Sequence, residues 1–108
     1  MVKKEEIEDL IKKLITENKK YSEDNIVFTP YCEMKMNDRG IEKEFIIKTL
    51  IFNDGLYYAE KQLAPSKEWE EARYKLIYKI SSRYSLIIIV VYEEKILKVI
   101  NVIKTSKS

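Results

Sequence analysis

Tyr31, Lys35 and Arg39 recur at four-residue steps, so on a helix they form one polar stripe. Farther along, Lys75, Lys79, Arg83 and Lys104 place cations in a stretch that has few carboxylates. A phenol can pass a proton, and guanidinium and ammonium groups can steady negative charge. These groups matter because the chain contains no histidine, one cysteine and two isolated glycines. That excludes Ser-His-Asp and Cys-His nucleophiles, a histidine- or cysteine-based zinc site, an intrachain disulfide and a glycine-rich phosphate loop. Any catalysis has to run on Lys, Arg, Tyr, Asp, Glu or Ser, and no cofactor is expected.

The charge distribution says what such groups would act on. Residues 1–72 carry a net −4 and residues 73–108 a net +6, although the whole chain is only +2. A basic half on a small domain suggests a polyanionic partner such as RNA or DNA. A lysine-rich solvated sheet face accounts for the same numbers equally well. The first residues are charged, and the longest apolar run, Leu86 to Tyr92, is seven residues against the ~20 a spanning helix needs. The expectation is a cytoplasmic protein without a membrane segment. Sixteen isoleucines with many Lys and Glu fit a thermophile or an AT-rich genome.

The elements that must carry these residues are legible from periodicity. At 108 residues the chain is one domain, with residues 1–22 as an N-terminal helix extension and 26–104 as the core. Ile7, Leu10, Ile11, Leu14 and Ile15 make one apolar helix stripe over 3–20, either packed on the protein's own sheet or offered to a partner. Thr29 and Pro30 start a second helix, and Gly40 stops it. Cys32 and Met36 fall on its buried side, and Cys32 reads as a small core residue. Ile41 to Ile51 is ambiguous between helix and strand, with spacing closer to the helical period, and Asn53-Asp54-Gly55 turns the chain.

Strands follow at Leu56–Lys61, Arg73–Ile80, Tyr84–Tyr92 and Ile96–Thr105. In the second of these, Tyr74, Leu76, Tyr78 and Ile80 alternate with Arg73, Lys75 and Lys79. The nearly continuous β-branched run at Tyr84–Tyr92 predicts a strand covered on both faces. The fold expected is α+β, with N-terminal helices packed on a four-stranded antiparallel meander. Trp69 lies in a charged loop, where it is either a partner anchor or folded over the sheet edge.

The segment from Ile26 to Leu50 resembles an uncharacterised bacterial and archaeal domain family marked by F-T-x-H-A-x-x-R-M-x-x-R-G-I. The match falls on Phe28, Thr29, Met36, Arg39, Gly40 and Ile41. Lys35 takes the basic position before Met36, and Cys32 replaces the small alanine. Residues 26–104 are covered. That family is similar to the RelE/ParE toxin superfamily, whose members set one or two helices before a curved four-stranded antiparallel sheet. The resemblance implies a toxin-like or RNA-processing role, either a metal-independent ribonuclease or, as in ParE-like members, a poison of DNA gyrase. The implied partners are RNA or the ribosome and a small antitoxin-like protein. A homodimer through an edge strand or the first helix is a further expectation.

Tyr31 stands where the family has its histidine. A tyrosine with a pKa near ~10 passes protons poorly at neutral pH, so either the chemistry changes or Tyr31 fills a structural position. Metal-free RNA cleavage needs a base for the ribose 2′-OH, an acid for the leaving oxygen and cations for the phosphate. Tyr31 or Tyr78 are the proton-transfer candidates, with Lys35 and Arg39 beside them. Lys75, Lys79, Arg83 and Lys104 are the candidate nucleic-acid contacts. Each also has a structural reading: Arg39 as a helix-end cap, Lys35 as a solvated residue and Tyr78 as core. The alternative to an enzyme is an inactive module on the same fold that binds nucleic acid or protein.

Overall fold

A computed structural model of the chain describes residues 4–62 and 73–106. The first helix, α1 (Lys4–Asn18), is followed by a 3-10 turn at Glu23–Asn25 and a short strand, β1 (Ile26–Phe28). Helices α2 (Pro30–Arg39) and α3 (Lys43–Phe52) come next, and then β2 (Leu56–Gln62), β3 (Arg73–Lys79), β4 (Tyr84–Tyr92) and β5 (Leu97–Ser106). The strands form one five-stranded sheet in the order β1-β5-β4-β3-β2.

The fold expectation needs correction in two respects. The sheet is mixed, because β1 pairs in parallel with β5 through Ile26–Leu97, Val27–Lys98 and Phe28–Val99. The helices are not all N-terminal, since β1 precedes α2 and α3. Three residues show less than two periods of alternation, so Ile26-Val27-Phe28 reads as a lead-in to α2. Only the partner strand reveals its role. The alternation itself is clear, with Ile26 and Phe28 buried and Val27 42% exposed. The other pairs, β2–β3, β3–β4 and β4–β5, are antiparallel as the meander requires.

All three helices put their buried residues into one cluster on one face of the sheet. Leu14 of α1, Cys32 and Met36 of α2, and Ile46 and Leu50 of α3 meet Leu76, Tyr78, Leu86, Ile88, Val90, Val99 and Val102. The α1 stripe therefore packs on the protein's own sheet. The caps follow the sequence signals. The Thr29 hydroxyl accepts from the Cys32 N–H at 3.1 Å, and Gly40 takes φ 69° at the end of α2. Asn53 ends α3 at φ 57°. Gly55, at φ 84°, lies so close to β3 that a Cβ there would sit 2.4 Å from the Lys79 carbonyl oxygen. The stretch holding Pro65 and Trp69 lies outside the described residues.

A polar network is buried beneath α1 and α3. Asn18 Nδ2 donates to Asn53 Oδ1 at 2.8 Å, and the Tyr78 hydroxyl donates to the same oxygen at 3.0 Å. The Tyr92 hydroxyl donates to Asn18 Oδ1 at 2.6 Å. Every side-chain polar atom buried among the described residues has a partner, so the network satisfies the cost of burying its groups.

Candidate nucleic-acid interface

Helix α2 leaves β1 and runs along β5. Its anchor is the Thr29 N–H, which donates to the Val99 carbonyl at 3.1 Å. Beyond Val99 this edge of β5 has no strand beside it among the described residues, because β1 ends at Phe28. The edge carbonyl of Val102 is met instead by Arg39, which donates to it at 2.6 Å and reaches Asn101 Oδ1 at 3.4 Å. Arg39 thus closes a sheet edge with part of its guanidinium fork, and the side chain remains on an exposed residue.

Tyr31, Lys35 and Arg39 share one side of α2 as the spacing predicts, but they do not meet in one cleft. Tyr31 is 53% exposed, and the Lys35 ammonium lies 5.6 Å from its ring centroid. Tyr31 opens into a recess of about 420 Å3, shared with Thr29, Gln62, Arg73, Ile89, Lys98, Ile100 and Asn101. Arg39 lines a different recess. Asn101 joins the two, since it borders the first and accepts from Arg39. It follows the bulge at Ile100, where the β4–β5 register slips between Ile89 and Val90.

The second tyrosine candidate has no access to a substrate. Tyr78 is fully buried, and loss of hydration there pushes its phenol well above the ordinary tyrosine value. Tyr92 is raised for the same reason. The Cys32 thiol, buried 3.7 Å from Met36 Sδ, is pushed up to about 11 by its burial, so it is not a poised nucleophile.

The cations expected to touch nucleic acid divide between two regions. Lys75 stands on the sheet face away from the helices, in register with Glu60 and Ile89. Lys79, Arg83 and Lys104 gather near the end of the sheet where β3 turns into β4. Arg83 sits in that turn, and the Lys104 ammonium lies 4.5 Å from the Tyr84 ring centroid.

Helix α3 crosses this same end of the sheet, and a groove follows its outer side. One recess, about 350 Å3, is lined by Arg39, Gly40, Ile41, Glu42, Phe45, Leu86 and Lys104. The next, about 370 Å3, is lined by Phe45, Lys48, Thr49, Phe52, Asp54, Lys79 and Ile80. Phe45 belongs to both, so the two recesses are neighbours. Phe45 is 43% exposed and Phe52 is 68% exposed, and Tyr84 is exposed nearby. Arg39, Lys104, Lys48 and Lys79 are spaced along the groove, and Lys48 also pairs with Glu44 at 3.3 Å on the helix surface. Alternating cations and exposed rings suit a strand of phosphates with unpaired bases.

The sequence reading did not single out Phe45 and Phe52, although a signal was present. Helix α3 is apolar on more than one side, with Phe45, Ile46, Ile47, Leu50, Ile51 and Phe52 in ten residues. Only Ile46 and Leu50 are fully buried. A helix apolar around most of its circumference, yet packed on one side, presents the remainder outward. Among the described residues no three His, Cys, Asp or Glu side chains gather as a metal site. No helix among them is long and apolar enough to cross a membrane. Comparison with known proteins finds no matching family model, no matching curated protein and no matching solved structure.

Proposed function

We propose that this chain binds single-stranded RNA along the groove on the outer side of α3. The observation that carries the reading is the run of Arg39, Lys104, Phe45, Lys48, Phe52 and Lys79 along two adjacent recesses. The cations meet backbone phosphates, with Arg39 presenting the part of its guanidinium not bonded to Val102 and Asn101 and the lysines acting as point charges. Phe45 and Phe52 lie seven residues apart on one helix, about 10 Å along its axis, which is room for two separate bases. Stacking on each ring contributes ~1–3 kcal/mol and tolerates any base. The Phe28–Ile41 segment resembles an uncharacterised family that is itself similar to the RelE/ParE superfamily, which favours RNA, among nucleic acids, as the ligand.

Titration of labelled protein with an unstructured RNA of about 12 nucleotides tests this by chemical-shift mapping. The expected shifts cluster on Arg39, Phe45, Lys48, Phe52, Lys79 and Lys104. No shifts, or shifts confined to the sheet's other face, would refute it.

A second reading, metal-independent cleavage, rests on the Tyr31 recess, where a phenol shares the wall with Arg73 and Lys98. Incubation with total RNA in the presence of a chelator, using wild type and Tyr31→Phe, separates cleavage from binding. Chelator-resistant cleavage lost in Tyr31→Phe supports that reading. Intact RNA rejects it and leaves the binding proposal standing.

A further inference from the structure

The outer face of the sheet, opposite the helices, is more apolar than a solvated face needs to be. Register sets Tyr58, Ile77, Ile87 and Ile103 in one row across four strands. The next row along the strands places Ile89 between Lys75 and Asn101, and the one after it places Val91 between Arg73 and Lys98. Ile77, Ile87, Ile89 and Ile103 are half-buried and lie outside the core cluster, while Val91 is 5% exposed. An antiparallel sheet with one wet face ordinarily carries polar residues at these positions. The β-branched run at Tyr84–Tyr92 reads as a strand covered twice, and on its outer face Ile87 and Ile89 keep part of their surface open.

Charge decides what kind of partner fits. Lys79 stands at one end of the isoleucine belt, and Lys75, Arg73 and Lys98 stand at the other. Lys75 and Lys79 have no ion-pair partner among the described residues, whereas Lys98 pairs with Glu93 at 3.3 Å. Glu60 is the one carboxylate in the rows. A second copy of the same face would bring lysines toward lysines. With strands ~4.8 Å apart, the Ile77–Ile87–Ile103 row spans ~10 Å, about the width of a helix.

We propose that this face docks an acidic amphipathic helix of another protein, with apolar residues on Ile77, Ile87, Ile89 and Ile103 and carboxylates toward Lys75. The isoleucine belt lies on the sheet face opposite the helices, and Lys79, which lines the α3 groove, is not part of the docking set, so the two readings stand or fall independently. The probe is a labelled helical peptide of about 15 residues, built from Leu, Ala and Glu, compared with a twin in which Lys replaces Glu. The full chain is expected to bind the Glu peptide at least about tenfold tighter than its twin. Ile87→Thr/Ile103→Thr should weaken the Glu peptide about tenfold, and Lys75→Glu should narrow the preference between the twins at least about threefold.

Equal binding of the twins, or binding untouched by Ile87→Thr/Ile103→Thr or by Lys75→Glu, would overturn the proposal. So would a wild-type dimer in sedimentation that Ile87→Thr/Ile103→Thr makes monomeric, because a second copy would then own the face. Thermal melts of each variant show whether it is folded. Displacement of the peptide by single-stranded RNA would assign the face to nucleic acid and also overturn it.

Discussion

Replacing Asn53 with alanine should be among the most damaging single changes in this protein, and the structure says by how much. Asn53 is 8% exposed and its Oδ1 accepts from both Asn18 Nδ2 and the Tyr78 hydroxyl. Asn53→Ala leaves two buried donors without an acceptor, at ~1–3 kcal/mol each. It also forces a Cβ-bearing, non-Asn residue into φ 57°, which costs a further ~1–2 kcal/mol. The expected loss is about 3–8 kcal/mol, comparable with the whole stability of an ordinary small domain. Asn53→Gly loses the same acceptor but accepts the left-handed backbone, so it should be about 1 kcal/mol milder. Tyr78→Phe removes one donor and leaves Asn53 bonded to Asn18, for a loss near 1 kcal/mol. Urea unfolding followed by far-UV circular dichroism measures all three, with Asn53→Ala lowering the midpoint by about 2–4 M. A loss below about 1 kcal/mol in Asn53→Ala would refute the view that this network stabilises the helix–sheet packing. Equal values for Ala and Gly would refute the conformational part.

Three further outcomes follow from the same geometry. Gly55→Ala should destabilise by more than the ~1 kcal/mol usual for a left-handed glycine, because the new Cβ meets the Lys79 carbonyl; thermal melts read this directly. Burial raises the folded-state pKa of Tyr78 and Tyr92 above the unfolded value near 10, so their contribution is full below pH 10 and declines as pH rises past it. Between pH 10 and 11 each should subtract up to about 1.4 kcal/mol, a decline that urea midpoints from pH 7 to 11 would show and a flat profile would contradict. Cys32, fully buried, should resist alkylation in the native protein and react at once in denaturant, as mass spectrometry would record.

Much of the fold was legible because its signals are local. Thr29, Pro30 and Gly40 bracket α2 by cap chemistry, Asn53 and Gly55 mark the turn after α3, and Tyr74-Leu76-Tyr78 alternates in β3. What escaped was decided by distant partners. Ile26-Val27-Phe28 becomes a strand only because β5 lies parallel beside it, and three residues cannot announce that. The candidate site was half legible. The four-residue spacing did place Tyr31, Lys35 and Arg39 on one side of α2. Spacing says nothing of the Ile100 bulge or the Val102 carbonyl that draws Arg39 away from Tyr31. Phe45 and Phe52 were not singled out, because hydrophobicity reports how much apolar surface a helix carries and not which part of it packs, and α3 has more than its packing uses.

The central claim is that cations and rings along α3 hold single-stranded RNA. The most direct measurement is the affinity for a labelled, unstructured RNA as a function of salt, for wild type and for Phe45→Ser/Phe52→Ser. Three to four phosphate contacts from Arg39, Lys48, Lys79 and Lys104 predict a log–log slope of about −2 to −3. Loss of two stacking rings should weaken binding by at least about 30-fold at every salt concentration and leave the slope unchanged. Binding that is absent at low salt, or that ignores the two phenylalanines, would contradict the account.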